Sequence, residues 1–217
     1  MTSTKVLNAI AILLGCVEAQ DWKTFKTMTL SDYKIFQALC KAIARCEEFH
    51  GMTLLHAVVR CDPPLEVVAE MIEAFPQLPS GTDCLGRTPL HVAAGIGASP
   101  ELIKLIAHSW PAACDVRDED GKTPLHFACD TSTALFEGDL DNECSSRIAP
   151  EYESVRALLS ESLLPATMED FDEMNPLEYA ILSDAEMKTV QLLQKAAAAN
   201  MKSRPRSKSP MATLPVP

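Results

Sequence analysis

Cysteine and histidine are the residue types in this chain whose spacing could support metal chemistry. Cys46, His50, His56 and Cys61 fall within 16 residues and offer the ligand types and number that zinc prefers. A structural role competes with this interpretation, because His56 belongs to a phrase that recurs along the chain at a regular interval. We therefore expect no bound metal and no cofactor.

Acid–base or nucleophilic catalysis would need a nucleophile, a base and oxyanion donors that converge on one pocket. The chain contains no Gly-x-Ser-x-Gly elbow, no phosphate-cradling glycine-rich loop and no His-Glu-x-x-His motif. Gly95-Ile96-Gly97 follows a predicted helix and is explained by a turn. The sequence therefore predicts a protein without catalytic residues.

One short phrase occurs four times along the chain. Its first three copies begin at residues 53, 88 and 123, and the fourth begins 52 residues after the third, which is one 35-residue period plus 17. The four copies are Thr53-Leu54-Leu55-His56, Thr88-Pro89-Leu90-His91, Thr123-Pro124-Leu125-His126 and Asn175-Pro176-Leu177-Glu178. A fixed period of this length predicts a solenoid of stacked units.

Each phrase has the chemistry of a helix start. Thr88 can cap exposed backbone N–H groups, and Pro89 stands at the first helical position, where no N–H is needed. Upstream, Asp83-x-x-Gly86 supplies turn chemistry, and downstream Ser99 and Pro100 begin a second helix with an apolar stripe. Each unit therefore reads as a turn followed by two helices.

This unit resembles the ankyrin repeat, whose signature is Thr-Pro-Leu-His-x-Ala. The resemblance covers about residues 47–199 and rests on three Gly-x-Thr-x-Leu-His strings that begin at Gly51, Gly86 and Gly121. It implies an all-α solenoid of helix-turn-helix units joined by β-hairpin-like loops. In this family the histidine bridges neighbouring units. The fourth unit departs from the pattern, since Glu173 and Glu178 replace the glycine and the histidine.

The resemblance also implies a non-catalytic role in binding partner proteins through the tips of the loops and a concave groove beside the first helices. The fingertip residues would be Phe49, His50 and Met52; Cys84, Leu85 and Arg87; Glu119, Asp120 and Lys122; and Phe171, Asp172 and Met174. The groove-facing helix residues would be Arg60, Ile96 and Asp130.

Four segments are predicted along the chain. Residues 1–46 form a helical N-terminal cap, and residues 47–199 form the repeat domain, with units starting near 47, 82, 117 and 169. An acidic loop insertion covers about residues 131–150, and residues 200–217 form a disordered basic tail rich in serine and proline. Ser207 and Ser209 stand in contexts that resemble kinase sites, so they are candidate phosphorylation sites.

Charge narrows the choice of partner. The chain has a formal net charge of −11, and its last 18 residues hold four basic and no acidic residues, so the body is strongly acidic. An acidic body disfavours nucleic acid as a partner. Acidic clusters beside Phe171 and Met174 predict a protein partner with a basic and partly apolar segment. We expect a monomer.

Eight cysteines are scattered along the chain, which favours a reducing compartment, the cytoplasm or the nucleus, over a disulfide framework. No apolar run reaches the length of about 18 residues that spans a membrane. The sequence thus predicts an intracellular adaptor or regulator. An alternative remains: Leu13-Leu14-Gly15-Cys16 resembles a lipid-attachment box, which would make the protein secreted or lipid-anchored after processing near Cys16.

Overall fold

A computed structural model describes residues 3–30, 33–43, 51–132, 135 and 149–203. Within these ranges the secondary structure is helical and contains no strand, which confirms the predicted all-α architecture. The helices form two layers, an inner layer from the first helix of each unit and an outer layer from the second.

The inner layer begins at the repeated phrases. Its helices are α4 (Leu54–Arg60), α6 (Pro89–Gly95), α8 (Pro124–Cys129) and α10 (Pro176–Leu182). Each contacts the next in order. Leucines and small residues permit this close stacking, since Leu90, Ala93 and Leu125 are fully or almost fully buried.

The outer layer carries the apolar stripes. Its helices are α5 (Leu65–Ala74), α7 (Pro100–Ser109), α9 (Tyr152–Glu161) and α11 (Met187–Ser203). Each again contacts the next. One apolar core continues through all units, from Ile10 to Ala196.

Three helices precede the repeats: α1 (Ser3–Glu18), α2 (Trp22–Leu30) and α3 (Tyr33–Ile43). Helix α1 contacts α4 and helix α2 contacts α5, so they cover both layers of the first unit. Leu13 is buried in the common core, and Cys16 is half-buried on the same helix. This packing gives no support to the lipid-anchored alternative.

The histidine of each complete unit joins it to the next. In the second unit His91 Nδ1 accepts a hydrogen bond from the backbone N–H of Thr88 at 2.9 Å, which places the ring proton on Nε2. Nε2 then donates to the carbonyl oxygen of Lys122, 3.2 Å away. His56 donates likewise to Arg87 and His126 to Met168, at 2.9 and 3.1 Å. This inter-unit histidine bridge accounts for all three recurring histidines.

The fourth unit makes the same cap without the bridge. Asn175 accepts hydrogen bonds from the N–H groups of Leu177 and Glu178, and Glu178 Oε2 accepts from the N–H of Asn175 at 2.8 Å. A carboxylate suffices for this reciprocal cap. Because no further unit follows α10 and α11 within the described residues, Glu178 has no next carbonyl to reach.

One predicted boundary, the end of the repeat domain, differs in detail. Helix α11 continues to Ser203, and buried Asn200 donates to Thr167 Oγ1 at 2.7 Å, so the repeat domain extends past residue 199. Of the predicted insertion, residues 131, 132, 135, 149 and 150 are described. Ser207 and Ser209 lie outside the described residues, as do Cys46, Phe49 and His50.

Burial lowers the pKa of the bridging histidines, to about 3 for His91 and about 4 for His126. The unfolded rings take up a proton below their ordinary pKa of 6.5, whereas the buried rings stay neutral. The contribution of these histidines to the free energy of unfolding is therefore fully present above pH 6.5. It is lost as the pH falls from there toward their folded-state pKa values.

We expect the free energy of unfolding, measured by urea titration at several pH values, to fall by about 1.4 kcal/mol per pH unit for each buried histidine. His91→Gln should flatten this slope by one histidine's share. An equal slope in the parent and the His91 variant would contradict the neutral bridge.

Candidate protein-binding surface

The loops before the inner helices α6, α8 and α10 are each closed by a carboxylate. Asp83 Oδ1 accepts hydrogen bonds from the backbone N–H groups of Leu85 and Arg87, at 3.0 and 2.9 Å. Asp118 and Asp170 repeat this pattern in the third and fourth units. The aspartates therefore shape the loops and do not present their Oδ1 atoms to a partner.

Neighbouring loops are joined backbone to backbone. The N–H of Glu119 donates to the carbonyl of Leu85, and the N–H of Phe171 donates to the carbonyl of Asp120, both at 2.9 Å. Arg117 lies 5.8 Å from the ring centroid of Phe171 and also donates to the carbonyl of Gly121. The second, third and fourth loops thus form one continuous edge and not separate fingers.

We name this surface the finger edge and define it by the exposed residues Cys84, Leu85, Glu119, Asp120, Phe171 and Asp172. Phe171 is its main apolar feature, because 71% of its surface is exposed while the ring edge rests against Gly121. Leu85 is 43% exposed. Met52 and Met174, also predicted at the tips, are half-buried.

Predicted exposure is wrong for two charged residues. Arg87 is buried, its Nε donates to Asp83 Oδ2 at 2.7 Å, and its Nη1 donates to the carbonyl of Leu135 at 2.7 Å. Asp130 is buried and accepts from Lys122 Nζ at 2.9 Å. A buried ionic group must be paired. Both side chains can turn inward because each finds its partners there.

Lys122 and Tyr179 complete this buried polar floor. The Lys122 ammonium lies 4.5 Å from the Tyr179 ring centroid, and Tyr179 Oη donates to Asp170 Oδ2 at 2.6 Å. Burial and this hydrogen bond raise the pKa of Tyr179 to about 12. Burial opposes the charge on Lys122, but Asp130 outweighs it and holds the pKa of Lys122 above its ordinary value. No sequence motif singled out Tyr179, which directly follows the fourth phrase.

The groove positions follow a register that the sequence analysis missed by one residue in the second unit. Arg60 and Asp130 stand seven residues after the threonine of their phrases, and the equivalent residues are Gly95 and Leu182. Ile96 is the residue after Gly95 and is 36% exposed. Arg60 and Leu182 are exposed. A cavity of ≈ 70 Å³ adjoins this region, lined by Gly95, Ile96, Phe127 and Asp130 among others.

Residues 54–137 match a family model described as ankyrin repeats in three copies. Residues 54–137 therefore contain ankyrin repeats, which confirms the resemblance read from the repeated phrase. Repeats of this family form protein-interaction modules and are typically non-catalytic. A search of the curated proteins finds no match.

Within the described ranges, no three or more His, Cys, Asp or Glu side chains are grouped so that they could hold a metal ion. No helix in the described part of the chain combines the length and the apolar character needed to cross a membrane.

The fourth loop has the same shape as the others although it lacks glycine. Glu173 takes a φ of +60°, where Gly86 and Gly121 take +74° and +79°. A residue with a Cβ atom is strained in this region by about 1–2 kcal/mol.

We expect Glu173→Gly to raise the free energy of unfolding, measured in urea, by up to about 1 kcal/mol, because relief of strain exceeds the entropy cost of glycine. The control is Asp172→Gly, which removes the same charge from the adjacent exposed residue. If both variants had equal stability, the strain at residue 173 would be refuted.

Proposed function

We propose that the protein is an intracellular adaptor or regulator whose finger edge binds a basic and partly apolar segment of a partner protein. Support comes from the composition of that edge. Glu119, Asp120 and Asp172 are exposed along it, and Phe171 and Leu85 are its exposed apolar residues.

The charge balance of the site favours a basic partner. Lys122 and Arg87 are turned inward and pair with Asp130 and Asp83, so their positive charges are compensated within the chain. The exposed Arg117 beside Phe171 is outnumbered by the three exposed carboxylates of the edge. The exposed carboxylates are what an approaching segment meets. Opposite charge on the partner would speed association, and burial of an aromatic ring would supply affinity.

The proposed compartment is the cytoplasm or the nucleus, and the proposed state is a monomer. Cys114 and Cys129 are buried thiols in the described core. Burial raises the pKa of Cys114 to about 12 and shifts that of Cys129 in the same direction. Such thiols pack as small apolar groups, as expected in a reducing compartment.

We expect the double variant Asp120→Lys/Asp172→Lys to lose the partner that the parent chain captures from a lysate of its source, as read by mass spectrometry. The matched control, Glu66→Lys/Glu101→Lys, makes the same change in net charge on the exposed surface of the outer helices α5 and α7.

A second variant separates the apolar contribution. Phe171→Ala should weaken the captured complex by about tenfold or more, as for an aromatic residue central to an interface. Raising the salt concentration should weaken the parent complex further. Retention of the partner by the Asp120/Asp172 variant, at the level of the control, would refute the finger edge as the binding surface.

A further inference from the structure

Leu135 lies against the second unit although it comes 40 residues after Gly95. Its Cδ1, Cγ and Cδ2 atoms lie 2.7–3.1 Å from the position that a Cβ atom on Gly95 would occupy. Leu135 is 5% exposed. A side chain at residue 95 would therefore collide with the leucine, and the missing Cβ is what makes room for it.

The main chain of Leu135 is held as well. Its carbonyl oxygen accepts a hydrogen bond from Arg87 Nη1 at 2.7 Å, and the ion pair with Asp83 fixes the same guanidinium. Arg87 comes just before α6 and Gly95 ends it. Leu135 thus makes two contacts, its side chain with Gly95 at the end of α6 and its carbonyl oxygen with the guanidinium of Arg87.

These contacts occur in the second unit, where the groove position has no side chain. The first, third and fourth units carry Arg60, Asp130 and Leu182 there. A cavity of ≈ 70 Å³ lies at the ends of α6 and α8, and Gly95 is among the residues that line it. The second unit therefore has the shape and the hydrogen-bond donor to take one residue of a peptide.

We propose that Gly95 and Arg87 form a subsite for a leucine-like residue of an extended partner peptide, read through its side chain and its main-chain carbonyl. Leu135 is the internal occupant of this subsite, and a partner's leucine competes with it. An occupant on the same chain acts at an effective concentration on the order of millimolar, so it keeps weak partners out.

This inference goes beyond the finger edge, since it concerns the floor of the groove and a neutral ligand. It rests on the proposed function to the extent that the concave side binds a peptide. The probe below carries Glu137 and Asp139 and no basic residue, so the acidic finger edge cannot attract it.

The test measures the fluorescence anisotropy of a labelled peptide with the sequence of residues 131–140, titrated with the full chain. Leu135→Ser removes the leucine side chain from the subsite, and we call this variant the emptied chain. We expect it to bind the peptide at least about tenfold more tightly than the parent does. A peptide carrying Leu135→Asp should lose that gain. In the emptied chain, Gly95→Val fills the gap and should also abolish it.

Circular dichroism and a cooperative thermal transition verify that each variant is folded, and Leu135→Ala replaces Leu135→Ser if the latter does not fold. Equal binding by the parent and the emptied chain would overturn the proposal, as would binding that survives Gly95→Val. Absence of binding to the emptied chain would also overturn it. Adding Asp120→Lys/Asp172→Lys to the emptied chain should not lower its affinity for the peptide. A failure of this proposal can therefore be distinguished from a failure of the finger edge as a binding surface.

Discussion

A neutral, buried imidazole that spans two units is the interaction on which the rest of this structure depends. Each bridging histidine accepts from the start of its own inner helix and donates to a carbonyl of the next unit. Both ring nitrogens are thereby used, and the cost of burying a polar ring is offset by two hydrogen bonds. The bridge sets the distance between successive loops, and the loops then join through their own backbones.

The same requirement, that a buried polar group be hydrogen-bonded, explains which charged groups face outward. Carboxylates that close loops, and cations that pair with them, are buried together, as in Asp83 with Arg87. Carboxylates that neither close a loop nor pair with a buried cation, such as those of Glu119 and Asp172, remain exposed on the finger edge. The finger edge is therefore acidic because the cations of Arg87 and Lys122 are turned inward in ion pairs, whereas these carboxylates are exposed.

The local chemistry of the sequence predicted much of this scaffold. Thr88 with Pro89 predicted a helix start, Asp83 with Gly86 predicted a turn, and both are observed. Glu178 in place of a histidine agrees with the structure, because within the described residues no further unit follows the fourth, and Glu178 completes the cap alone. Such features depend on residues within four or five positions of one another.

Long-range contacts were beyond the reach of the same reasoning. Gly95 looked like part of a turn, and its use as a gap for Leu135 depends on a residue 40 positions away. Arg87 looked like an exposed fingertip, because the carbonyl oxygen of Leu135 that binds its guanidinium lies 48 positions away in the sequence. Burial of a charge is decided by its neighbours in space, which a single sequence does not reveal.

The histidine bridge can be observed directly by nitrogen-detected NMR of the imidazole rings, which distinguishes the two neutral tautomers from the charged form. The structure predicts that His56, His91 and His126 are neutral with the proton on Nε2, and that His91 and His126 remain so at about pH 5, because burial holds their pKa values at about 3 and about 4. A proton on Nδ1, or rings that are charged at that pH, would contradict the account.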